Sequence, residues 1–177
     1  YRAGIFIELM EQRAPGHTVA DDKIFYKGML DFKNEIQKSI SKLDFYNDSE
    51  ALSKREELCA MEIFFCDTLI AYANRYSNKL HELAEKEKDK NRKDELETMA
   101  GICSRVPANA PRTFWEALQY YWFVHLGVIT ELNTWDSFNP GRLDQHLYPF
   151  YKRDIVSGLL NEESAKELLQ SFWVKFN

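Results

Sequence analysis

Two polar stretches concentrate the side chains best suited to chemistry. One is Glu11-Gln12-Arg13-Ala14-Pro15-Gly16-His17-Thr18; the other runs from Thr130 to Gln145 and contains Glu131, Asn133, Asp136, Arg142 and Asp144. Each sets charged and aromatic residues beside Gly and Pro, as pocket loops on a rigid scaffold do. A purely structural role competes with this, since Arg142 and Asp144 can cap or pair within the fold. Elsewhere the candidates thin out. A carboxylate-bridged di-iron site needs Glu three positions before a histidine, and none of His17, His81, His125 and His146 has one. His81 lies among polar helix residues and is expected to face solvent. His125 lies in an apolar helix and is expected to be a hydrogen-bonded core residue. His146 follows Asp144 by two positions, a poor helical geometry for shared ligation. No zincin, phosphate-loop or nucleophile-elbow pattern occurs. Cys59, Cys66 and Cys103 form neither a CxxC pair nor a zinc pattern. They read as ordinary buried thiols in a reducing interior, with Cys59 and Cys66 on one helix face.

The elements that must position these loops read as helices. Tyr1 to Glu11 ends one helix, and Pro15-Gly16 breaks the chain. Apolar residues from Ile24 to Ile40 recur at three- and four-residue spacing, which predicts one helix from Asp22 to about Leu43. A long helix follows from about Ala51 to Lys86, then another from about Arg92 to Ser104. Thr113-Phe114-Trp115-Glu116 reads as a capping box in which the Thr hydroxyl and the Glu carboxylate satisfy each other's amides. It opens a helix to about Ile129 that is apolar on several faces, as in helices buried within large proteins. A helix from about Arg142 to Ser157 should bend at Pro149 and close at Gly158. Asn161 caps the last one. The expectation is about six helices and no strand, with no internal domain boundary across residues 1–177.

Composition agrees. Hydrophobic residues make up 45% and charged residues 29%, a globular balance, and seven glycines and five prolines are few for a sandwich or barrel. A net charge of −5 argues against a nucleic-acid surface. No apolar run is long enough to span a membrane. The first residue is Tyr1 and the last follows Phe172-Trp-Val-Lys-Phe176, so both ends are expected to be cuts through a longer chain.

In this order the sequence carries Arg13-Ala-Pro-Gly-His-Thr18, Arg75-Tyr76, Val106-Pro107-Ala108, Phe114-x-Glu116-Ala117-Leu118-Gln119 and Gly141-Arg142-x-Asp144-Gln145. These motifs cover most of the chain and resemble the glycyl radical enzymes, the superfamily of pyruvate formate-lyase. Met10 to Val19, Tyr121-Trp-Phe-Val-His125, Thr130-Glu-Leu-Asn-x-Trp135-Asp136-x-Phe138, Pro140 to Leu147 and Trp173 to Asn177 are most similar to the branch that dehydrates trans-4-hydroxy-L-proline.

The resemblance implies a mainly α piece of the helical shell around a ten-stranded α/β barrel. It implies a lyase whose protein-based glycyl radical, installed by an iron-sulfur S-adenosylmethionine activase, generates a thiyl radical that attacks a small molecule. It also implies a cytoplasmic homodimer at full length. None of the three cysteines starts the family's Cys-x-Glu motif, so that cysteine and the radical glycine are expected outside this chain, which should bind no cofactor and be inactive alone. By the same resemblance His17 matches the histidine that points at substrate, and Asp136 a pocket aspartate. A histidine can hydrogen-bond or protonate a departing hydroxyl. A carboxylate can hold a cationic ring nitrogen or fix that histidine. Leu9 stands where the hydroxyproline enzymes have a substrate-packing phenylalanine, so the pocket floor is reshaped. Other readings are a different radical lyase (a diol dehydratase, a decarboxylase or a formate acetyltransferase) or a stand-alone helical interaction module.

Overall fold

The computed structural model describes residues 21–131 and 141–176. Every regular element among them is helical: α1 (Lys23–Tyr26), α2 (Met29–Ile40), α3 (Ala51–Ala60), a π-helical stretch (Met61–Asp67), α4 (Thr68–Lys86), α5 (Lys90–Arg105), α6 (Phe114–Glu131), α7 (Leu143–Val156) and α8 (Glu162–Val174). The all-helical expectation holds. The count exceeds six because two expected helices are each divided.

The first division is at Lys27-Gly28. The amides of Met29 and Leu30 donate to the carbonyls of Pro107 and Ala108 at 2.8 and 3.0 Å, so a distant loop caps α2. A Cβ on Gly28 would lie 2.3 Å from the Ala108 oxygen, so no other residue fits this approach. The Asp31 carboxylate accepts the Gly28 amide at 2.9 Å, and the Tyr120 hydroxyl donates to the Lys27 carbonyl at 2.8 Å. The second division is the π-helical stretch within the continuous helix from Ala51 to Lys86. Its wider turns appear in the Thr68 hydroxyl bonding the Ile63 carbonyl five residues back, at 3.0 Å. Lys33 of α2 pairs with Asp67 at 2.5 Å and with Glu62 at 3.6 Å, and Gln37 donates to Glu62.

α4 and α5 form an antiparallel hairpin. The buried Ser77 hydroxyl donates to the Ala100 carbonyl at 2.9 Å, and Asp89 caps α5 by accepting the Arg92 amide. α6 runs through the centre, burying Phe114, Leu118, Tyr120, Tyr121, Val124 and Val128 against residues of α1, α2, α4, α7 and α8. The Thr113 hydroxyl accepts the Glu116 amide at 3.1 Å, as the capping box requires. The reciprocal bond differs. The Glu116 carboxylate accepts the Arg112 amide at 2.6 Å and pairs with the Arg105 guanidinium at 3.2 Å. Two arginines flank this buried carboxylate and draw it away from the Thr113 amide. α7 continues through Pro149, Gly158 follows it at φ +73°, and Asn161 caps α8 by accepting the Ser164 amide at 2.8 Å.

Candidate functional site

Leu9, His17 and Asp136 lie outside the described residues. The structure does give the scaffold on both sides of the segment that contains Asp136. α6 ends at Glu131 and α7 begins at Leu143. Between them, Arg142 turns back on Asp144, with Nε to Oδ1 at 3.3 Å and Nη2 to Oδ2 at 3.4 Å. That pair holds the Asp144 carboxyl below the usual aspartate range, the guanidinium being the main cause. Both side chains are exposed, so the structural reading of this pair is the one the geometry supports.

Two of the grooves formed by the described residues flank α6. The last turns of α6 (Leu126, Gly127, Thr130), the π-helical stretch (Phe64, Phe65) and the start of α4 (Thr68, Leu69, Tyr72) line one of about 340 Å³. Among the described residues its only polar side-chain groups are the hydroxyls of Thr68, Thr130 and Tyr72. The Tyr72 hydroxyl shares a 3.1 Å hydrogen bond with Tyr76, which with burial pushes its pKa up to about 12 and keeps it protonated. The other groove, about 380 Å³, lies at the start of α6 between α7 and α8 and is lined by Asp144, Leu147, Tyr148, Leu169 and Trp173 among others. Among the described residues, neither groove presents a nucleophile beside a base.

The remaining candidates have structural surroundings. His81 is exposed, 3.7 Å from Glu97. His146 stacks on Phe25 with ring centres 5.2 Å apart, its Nε2 3.7 Å from Asp21. His125 is buried as expected, against Tyr121, Trp122 and Phe176. The expected hydrogen bond is missing at Nδ1, which has no partner among the described residues because aromatic rings surround it. Burial lowers its pKa and favours the neutral ring. Cys66 and Cys103 are buried, and desolvation pushes both thiols up to about 11, so they are poor nucleophiles. Cys59, in α3, is only half-buried, against the expectation of a buried thiol, while Cys66 lies in the π-helical stretch that follows. No cluster of three His, Cys, Asp or Glu that could hold a metal occurs among the described residues, and no helix among them is long and apolar enough to cross a membrane.

The sequence reading missed the π-helical stretch and the close approach of α6 to α4. One signal was available for the second: Gly127 is the only glycine in an otherwise bulky helix.

Comparison with known proteins gives this scaffold a context. The family model described as pyruvate formate lyase-like matches residues 1–177. Trans-4-hydroxy-L-proline dehydratase of Clostridioides difficile is 52% identical over the whole chain, which spans 22% of that relative. Isethionate sulfite-lyase of Nitratidesulfovibrio vulgaris is 40% identical over 86% of the chain and 18% of its own length. The crystal structure of the C. difficile hydroxyproline dehydratase with its substrate bound superposes with a TM-score of 0.88, at 52% identity, over 99% of this chain and 22% of that one. The glycerol-bound B12-independent glycerol dehydratase of Clostridium butyricum gives 0.82 at 33% identity, over 90% of this chain and 20% of the other. The chain therefore spans about a fifth of the length of the relatives it matches.

Proposed function

The chain belongs to the pyruvate formate lyase-like family, and from that membership we propose that its full-length protein is a glycyl radical dehydratase that removes water from trans-4-hydroxy-L-proline to give pyrroline-5-carboxylate. The observation that carries this reading is 52% identity to a hydroxyproline dehydratase across all of the chain. Residues 1–177 would be an undivided part of the catalytic domain, forming helical shell and one wall of the substrate pocket. The radical, when installed by an iron-sulfur S-adenosylmethionine activase, supplies removal of a hydrogen atom from the ring carbon beside nitrogen. The residues of this chain bind and orient. His17 holds a proton at the departing hydroxyl, which is a poor leaving group unless hydrogen-bonded or protonated. Asp136 holds the cationic ring nitrogen or fixes His17.

On this reading the chain alone is inactive, and the full-length protein works as a homodimer in the cytoplasm. Relatives that include a sulfite-lyase and a sulfopropanediol dehydratase make another radical lyase the second reading, and Leu9 is the residue that favours it. The test is to activate the full-length protein and offer it hydroxyproline and small diols, following pyrroline carboxylate and aldehydes. Turnover of diols alone would move the assignment to the second reading.

A further inference from the structure

We draw no further inference here: the strongest candidate, the aromatic seam between α6 and α8 where the buried Tyr121 hydroxyl and His125 Nδ1 have no hydrogen-bond partner among the described residues, is packed shut against Phe172 and Phe176, and nothing in the structure shows what group would pair with either atom.

Discussion

The carboxylate of Asp154 in α7 accepts the amide of Phe114, the first residue of α6, at 2.6 Å, across 40 positions of sequence. Asp154 is 2% exposed, and its other oxygen takes the Arg153 guanidinium at 3.2 Å. One buried side chain therefore caps the central helix and joins it to the helix after the Asp136 segment. Asp154→Ala leaves that amide buried without an acceptor, a loss of about 1–3 kcal/mol. Thermal unfolding of the full-length protein should show a lowered Tm, while turnover per radical well below the transition stays near wild type. An unchanged Tm would mean the bond adds nothing to stability.

The buried thiols predict a pH dependence. In the folded protein Cys66 and Cys103 titrate at about 11, against 9.0 for a free thiol. Between these values the unfolded chain loses protons that the folded chain keeps, so stability falls as pH rises through the window from 9 to 11. Below pH 9 these groups contribute no pH dependence. Native protein at pH 8 should therefore release Cys66 and Cys103 to a thiol reagent only on unfolding. Rapid labelling of either one in the native state would contradict this.

Leu9 offers a gain-of-function test. If it thins an aromatic wall against the substrate ring, Leu9→Phe should tighten hydroxyproline by about 1 kcal/mol, a typical value for aromatic packing. Steady-state kinetics should show KM lower by roughly fivefold with kcat little changed. A raised KM would place Leu9 outside the pocket floor.

Met61, Ile63, Phe64, Tyr148, Trp173 and Val174 are exposed apolar side chains on a chain that spans 22% of its hydroxyproline-dehydrating relative. Apolar patches of this kind drive association. The isolated 177-residue chain should sediment as oligomers or aggregate. A monomer that unfolds cooperatively would show that these side chains need no cover.

Much of the helical framework could be read from the sequence, because its signals are local. The Asn161 cap, the glycine stop at 158 and the apolar surface of α6 each depend on residues within a turn of one another. The break at Gly28 depends on carbonyls of Pro107 and Ala108, about 80 positions away, and no periodicity between Ile24 and Ile40 reports it. The π-helical stretch, likewise, is tied to Lys33 and Gln37 of another helix. Glu116 illustrates a half-legible motif: its spacing from Thr113 announced the cap, but the positions of Arg105 and Arg112 decided where its carboxylate went. The roles proposed for His17 and Asp136 rest on resemblance alone, since proton-transfer or binding roles leave no periodic trace in a loop and both residues lie outside the described residues.

The most direct measurement compares wild-type and His17→Gln full-length enzyme on hydroxyproline, with radical content counted by electron paramagnetic resonance. A group that assists hydroxyl departure acts more strongly in the transition state than in the ground state, so its loss lowers kcat more than it raises KM. The account predicts pyrroline-5-carboxylate from the wild type, and for His17→Gln a kcat lower by roughly 10²-fold or more at normal radical content. Near-normal turnover by His17→Gln at full radical content would contradict it.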